Sequence, residues 1–274
     1  MLLQFGGFIY LMLKYGWTGR GPAASVQGEA TDWLLNLNFV IIIAIFFFTN
    51  FLLFYFSYKY VKKPGVKAYY YPHNNKLEML WTVVPAAVLA VIIILGLRTW
   101  NEVTSASPKD AIQVELYSKQ FDWTARYAGG DNTLGKTDYK LILGNNELGL
   151  ITAATIDSSI LAMRQGAGGI LDIKKLLNNR DTVLTDSLTA VLRKDLGSKE
   201  RLLRLLTQMK STHNASLDKH AYDDIIQKDT LYLCVNKPYE FSLRSKDVIH
   251  SAYFPHFRAQ MNTVPGYGTR LKFT

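Results

Sequence analysis

The chain has 274 residues, 49% of them hydrophobic and 19% charged, with a formal net charge of +9 at neutral pH. That length leaves room for about two structural units, and the composition excludes a disordered or low-complexity chain. The basic balance would suit an anionic surface, but no zinc-ribbon spacing and no aromatic-basic RNA motif accompanies it, so nucleic acid is not the expected partner.

Residues 1–30 are treated as a separate N-terminal segment. Leu2 to Leu13 is apolar but short for a membrane span, and Lys14 follows the apolar run where a signal peptide would carry its charge in front. The segment is open between an interfacial piece and a third helix. Residues 31–100 are the clearest part of the chain. Phe39 to Phe56 is broken only by Thr49 and Asn50, and Met79 to Leu97 carries no charge at all. Each is close to the ~20 residues a helix needs to cross a hydrocarbon core, and a helix satisfies its own backbone in lipid. Pro85 is tolerated there. Trp33, Trp81, Trp100, Tyr58 and Tyr60 stand near the ends, where amphipathic rings favour the interface. A transmembrane hairpin in contact with lipid is predicted. Its connecting loop carries Lys59, Lys62, Lys63, Lys67 and Lys76 with no acid before Glu78. The positive-inside rule makes that loop cytoplasmic and the following domain extracytoplasmic, periplasmic in the inner membrane of a bacterium.

After Trp100 continuous apolarity gives way to alternation. Ile112-Gln-Val-Glu-Leu-Tyr has the period of a half-buried strand. Further strands are predicted at Phe121 to Tyr127, Leu231 to Val235, Tyr239 to Arg244, Val248 to Phe254 and Thr269 to Phe273, with Gly and Pro turns between them. Cys234, the one cysteine, is expected as a small buried hydrophobe on a strand. Residues 101–147 and 229–274 form the two parts of this β-domain. Residues 148–228 interrupt it with helical periodicity: Leu184, Leu188, Val191 and Leu192 share one face, Leu202, Leu205, Leu206 and Met209 another. Asp181 and Ser198 are the expected N-caps, with Gly197 ending the helix before the second. The insertion's basic residues suit either a partner subunit or a solvated face.

Three stretches carry a resemblance to subunit II of the haem-copper cytochrome c oxidases. The first is Leu77-Glu-Met-Leu-Trp-Thr-Val-Val-Pro, opening the second span. The second, Tyr117-Ser-Lys-Gln-Phe-Asp-Trp-Thr-Ala-Arg-Tyr, resembles the family's aromatic strand. The third joins Ser245-Lys-Asp-Val-Ile-His-Ser to Tyr-Phe-Pro and Met261-Asn-Thr-Val-Pro-Gly. The resemblance implies a membrane α + β protein in which a two-helix transmembrane hairpin is followed by a cupredoxin-like Greek-key β-sandwich with a helical insertion. It implies electron delivery from a cytochrome c-type donor towards the oxygen-reducing subunit I of a proton-translocating oxidase, with haem in partner subunits only.

By the same resemblance Glu78 marks a proton-path entrance, although a carboxylate at a helix start is also favoured by the helix dipole alone. Gln120 and Trp123 match the aromatic strand, while Phe121 replaces the tryptophan through which electrons enter. His250 matches a ligand of a binuclear copper (CuA) centre, and imidazole suits copper. Asn262 stands where an aspartate is common, and His73, His213, His220 and His256 are expected at the surface. The centre also needs two bridging thiolates, a second histidine and a methionine, which residues 1–274 cannot supply together. Two explanations follow: the copper segment lies beyond position 274, which the retained His250 favours, or the subunit is a copper-free structural or assembly subunit of the quinol-oxidase kind.

Overall fold

The computed structural model describes residues 2–15, 21–67, 69–179 and 184–274. Helix α1, Leu2–Tyr15, precedes two long helices, α2 (Val26–Lys59) and α3 (Asn75–Thr104). Both long helices have the length and apolarity to cross a membrane. Ser25 caps α2 by accepting the Gly28 N–H at 2.9 Å, and Asn74 caps α3 by accepting that of Leu77 at 3.1 Å. Pro85 lies inside α3 without ending it. Helix α1 leans on α2 through Phe5, whose ring stacks on Phe47 at 3.9 Å.

At ~1.5 Å per residue, the 34 residues of α2 exceed a hydrocarbon core of about 30 Å. The surplus lies at its N-terminus, where the helix meets the β-domain. The Val26 N–H donates to the Thr274 carbonyl at 3.0 Å, and Arg258 pairs with Asp32 at 3.0 Å. Lys272 reaches Ser105 just beyond α3 at 2.9 Å. The domain is therefore fastened to both helices.

Strands β1 (Ile112–Lys119), β2 (Asp122–Tyr127), β3 (Ile225–Lys228), β4 (Tyr239–Ser245) and β7 (Thr269–Phe273) form one sheet in the order β3-β2-β1-β4-β7. It is mixed: β1 runs parallel to β4 and antiparallel to β2. Strands β5 (His250–Phe254) and β6 (Ala259–Thr263) form a second, two-stranded sheet. Val114, Leu116, Ala125, Phe241, Leu243 and Leu271 face it and make the core with Ala252 and Ala259. Phe241 packs on Phe273 at 4.8 Å, and a buried bond of 2.7 Å joins Ser118 to Thr263 across the sheets. This is the two-helix hairpin and cupredoxin-like β-sandwich that the resemblance implies.

The opposite face of the five-stranded sheet would ordinarily meet water. Here the connection between β2 and β3 covers it, through Gly135, Leu148 and Asp224; the same connection carries helices α4 (Ala153–Gln165), α5 (Ile170–Asn178), α6 (Asp186–Thr212) and α7 (Lys219–Tyr222). Leu141, Ile156 and Leu206 are the centre of their own small core. The covered sheet face is charged. Glu115 binds Arg126 at 2.7 Å and also binds Arg244, while Arg126 binds Asp224 at 2.7 Å and the Gly135 carbonyl at 2.9 Å. Arg244 further donates to the Leu148 carbonyl at 3.0 Å. Burial raises the Asp224 carboxyl above the ordinary carboxylate range, against the pull of Arg126.

Three expectations are corrected. Leu231 to Val235 alternates like a strand but joins no ladder. Its Tyr232 and Cys234 N–H groups donate to the hydroxyls of Tyr127 and Tyr239, at 2.7 and 2.6 Å, so side chains take the place of a neighbouring strand. Cys234 is accordingly exposed on a loop. Helix α6 runs unbroken through Gly197 and Ser198, because the Ser198 hydroxyl bonds back to the Lys194 carbonyl at 3.0 Å and the helix packs on α4 and α5. A mid-helix glycine costs only about 1 kcal/mol, which such packing exceeds. The cap of α6 is Thr185; Asp181 lies outside the described residues.

Candidate functional site

The tight turn between β1 and β2 places Phe121 at the tip of the domain, 97% exposed. The same turn is held by Asp247, whose Oδ2 accepts the Gln120 N–H at 2.7 Å. The other carboxylate oxygen of Asp247 meets Nε2 of His250 at 2.7 Å. The His250 ring in turn stands edge-on to Trp123, with centroids 6.1 Å apart. Phe121, Trp123 and His250, far apart in sequence, thus share one end of the sandwich. Asp247 is what the sequence reading missed. Its spacing of three from His250 at a strand start was the available signal, and the bond to Gln120 was not readable from either segment alone. Asp247 is held well below the usual carboxylate range, chiefly by His250 and then by the Gln120 N–H.

A ring of ion pairs surrounds this end. Lys119 lies 3.1 Å from Asp122 and 3.2 Å from Glu147, and Lys228 lies 3.3 Å from Glu147. These bonds hold Asp122 and Glu147 below their ordinary values. Asn262 sits opposite Ser251 in the β5–β6 ladder, and its carbonyl accepts the Thr269 hydroxyl at 2.6 Å. His73 and His256 are exposed as expected. His213 and His220 are half-buried instead, each against a carboxylate, Asp218 and Asp131 respectively. The His213–Asp218 pair is local, five residues apart, whereas His220 reaches Asp131 across 89 positions, a pairing the local sequence does not signal.

Cys234 is not at this end. It lies near Tyr239, at the start of β4, whereas Ser245, Asp247 and His250 follow its other end. Seven strand residues at ~3.3 Å each put about 20 Å between the two places. Cys234 borders instead a groove beside Ser25, Val26 and Thr274, where α2 meets the domain. Among the described residues no group of three His, Cys, Asp or Glu side chains could hold a metal ion. One imidazole with no thiolate in reach does not fit a binuclear copper centre.

Glu78 lies in the first turn of α3, at the far end of the hairpin from the β-domain. Its Oε1 accepts the Asn74 backbone N–H at 3.3 Å, a helix-start contact. It is half-buried within the chain, and nothing brings it near the Phe121–His250 end.

A hairpin of membrane-spanning helices bearing a β-sandwich defines a membrane-anchored subunit class, and comparison with known proteins gives its family. Residues 18–99 match the model of the cytochrome c oxidase subunit II transmembrane domain. The alternative cytochrome c oxidase subunit 2 of Bradyrhizobium diazoefficiens is 28% identical over 98% of this chain and 73% of its own length. The cytochrome c oxidase subunit 2 of Cereibacter sphaeroides is 30% identical over 41% of this chain and 37% of its own length. That of Corynebacterium glutamicum is 25% identical, over 49% and 39%. The match over the hairpin and the similarity along the whole chain support a member of the cytochrome c oxidase subunit II family.

Proposed function

We propose that this chain is subunit II of a respiratory haem-copper oxidase, delivering electrons from a cytochrome c-type donor towards the oxygen-reducing subunit I. The observation that carries the reading is the gathering of Phe121, Trp123 and His250 at the exposed end of the β-domain. Aromatic edges there offer a donor a contact surface, and the fastening through Val26, Asp32 and Lys272 holds that surface at a fixed height over the membrane. Association with the other oxidase subunits follows from the family. The lysine-bearing loop between α2 and α3 is placed on the cytoplasmic side and the β-domain in the periplasm of a bacterial inner membrane, supported by the charge asymmetry. Glu78 then stands at the cytoplasmic mouth of a proton path into subunit I. Residues 1–30, 31–100, 148–228 and the two flanking β segments are proposed as the domain divisions.

Residues 1–274 carry His250 and a single cysteine, so by themselves they do not supply the ligand set of the family's binuclear copper centre. A second reading makes the chain a copper-free structural or assembly subunit of a terminal oxidase. Turnover of the purified oxidase with a reduced c-type cytochrome separates the two. Under the electron-delivery reading, His250→Ala lowers turnover sharply while the subunits still co-purify. Near-normal turnover in that variant sinks it and leaves the structural reading.

A further inference from the structure

The segment between α2 and α3 gathers one sign of charge at the end of the hairpin away from the β-domain. Residues 60–77 contain Lys62, Lys63, Lys67 and Lys76 and no acidic residue. Pro64 and Gly65 are the centre of a tight turn: the Val66 N–H donates to the Lys63 carbonyl at 3.3 Å, and Gly65 takes φ 77°, as in a type II β-turn. The turn doubles the chain back, with Lys62 and Lys63 on one side of it and Lys67 on the other. All three side chains are exposed, and among the described residues their ammonium groups have no ion pair or hydrogen bond. Lys59, by contrast, is held by the Tyr55 hydroxyl at 3.1 Å, and the nearest carboxylate, Glu78, accepts the Asn74 N–H.

Three like charges gathered at one turn repel one another unless a counter-charge comes from outside the chain. Their surroundings narrow its source. Tyr69 and Tyr70 are 87% and 84% exposed, and Val61 and Val66 58% and 68%. A loop bathed in water would ordinarily not carry so much bare aromatic and aliphatic surface. At the edge of a bilayer it is favourable: tyrosine rings settle at headgroup level, and lysine stems extend their charge towards phosphates. The position agrees. The two membrane-crossing helices end and begin on either side of the segment, and the Tyr71 hydroxyl accepts from Asn74, the cap of α3, at 2.8 Å. The charged surface is therefore continuous with the apolar flanks of the hairpin. We propose that residues 60–77 form a docking surface for anionic phospholipid headgroups, whose phosphates the Lys62–Lys63–Lys67 turn holds. This role is separate from electron delivery and the same whichever side of the membrane the loop faces.

The test follows amide exchange of the 60–77 peptide in the purified oxidase complex, held in nanodiscs of phosphatidylcholine alone or with about 30% phosphatidylglycerol. Exchange is expected to be at least about tenfold slower in the anionic discs, since each lysine near an anionic surface contributes a factor of about five. Raising the salt from about 0.1 to about 1 M, which shortens the screening length from ~10 to ~3 Å, returns it to the phosphatidylcholine rate. The Lys62→Gln/Lys63→Gln/Lys67→Gln variant exchanges at that rate in both discs, with haem content and co-purified subunits as in the wild type. Should that variant not assemble, the wild-type salt series decides alone. Equal exchange in the two discs overturns the assignment, whether fast, with no lipid held, or slow, with another subunit covering the loop. So does a variant slowed as much as the wild type, which would make the tyrosines the anchor. Slowing reproduced by inorganic phosphate added to phosphatidylcholine discs overturns it too, because the ligand is then a free anion.

Discussion

Glu115 and Arg126 stand directly opposite each other on β1 and β2, joined at 2.7 Å with 4% and 2% of their side chains exposed. A charged pair in that position exists because the helical insertion covers a sheet face that would otherwise be wet. Glu115 also holds Arg244, and Arg126 also holds Asp224. Each charge in the network is thus compensated by a neighbour on another strand or on the insertion's return to the sheet. Removing the shared carboxylate leaves the buried Arg126 and the partly buried Arg244 each short of a partner. Glu115→Ala is expected to destabilise the domain by about 3–5 kcal/mol. By contrast, Glu240→Gln, which breaks a pair with the half-exposed Arg270, should cost no more than about 1 kcal/mol. Thermal unfolding of the purified subunit complex, followed for both variants, checks the ratio. Equal losses would mean that the insertion does not seal this face.

The ion pairs around Lys119 give the exposed end a pH dependence of definite sign. Asp122 and Glu147 have ordinary values of 3.8 and 4.5 and are held below them, first by their bonds to Lys119. A carboxyl depressed in the folded state contributes stability that is complete above its unfolded value and is lost as pH falls through its folded value. Local protection at residues 119–122 and 144–147 should therefore be constant from neutrality down to about pH 5 and decline below the ordinary carboxylate values. Lys119→Met should lower that protection at neutrality and shrink the decline, because both carboxyls then return towards their ordinary values. Hydrogen exchange of these two peptides, as a ratio of variant to wild type at each pH, is the measurement. A ratio that stays flat from pH 6 to pH 3 would remove these pairs from the account.

Much of the architecture was legible because it rests on short-range rules. Continuous apolarity from Phe39 and from Met79 marks helices in lipid whatever their neighbours, and alternation in Ile112–Tyr117 marks a strand with one face inward. What escaped depended on partners distant in sequence. Ile225–Lys228 is an edge strand because Thr124–Tyr127 lies beside it, and its four residues are too few to show a period. Leu231 to Val235 carries the right alternation, and Leu231 and Leu233 do pack on the core, yet two tyrosine hydroxyls occupy its amides. At the candidate site Phe121, Trp123 and His250 could be named from motifs. Their convergence through Asp247 could not, since it is made by the β1–β2 turn meeting the start of β5.

The attachment of the β-domain to the hairpin gives a third prediction. Arg258 adopts a left-handed backbone, with φ 54°, in the connection between β5 and β6, and aims its guanidinium at both carboxylate oxygens of Asp32. It donates also to the carbonyls of Pro255 and Gly21, so one side chain ties three segments together. With only 10% of the Arg258 side chain exposed, this is a poorly screened pair in which Nε donates to both carboxylate oxygens, unlike a surface salt bridge. Arg258→Lys cannot reproduce the fork. It should loosen the domain against the membrane while leaving the sandwich folded, seen as faster proteolysis near residues 21–25 with unchanged protection in β1 and β4. If β1 and β4 lose protection together with 21–25, the attachment and the sandwich form one cooperative unit and Arg258 does not act on the attachment alone.

Glu78 separates two roles that a single deletion would confuse. As a helix-start residue it needs only an acceptor for the Asn74 N–H, a contact of 3.3 Å that a glutamine carbonyl reproduces. As a proton-path entrance it needs a group that binds and releases a proton, which glutamine lacks. Glu78→Gln therefore keeps the first role and abolishes the second, whereas Glu78→Ala removes both. If Glu78 admits protons to subunit I, both variants slow oxygen turnover by a similar factor, and both assemble to wild-type levels because the lost cap contact is weak and lies outside the β-domain. Steady-state oxygen uptake by the purified complex, scaled to its haem content, reads the first quantity, and the yield of the co-purified subunits reads the second. Full turnover in Glu78→Gln, with reduced assembly in Glu78→Ala alone, would make Glu78 a cap of α3 and nothing more.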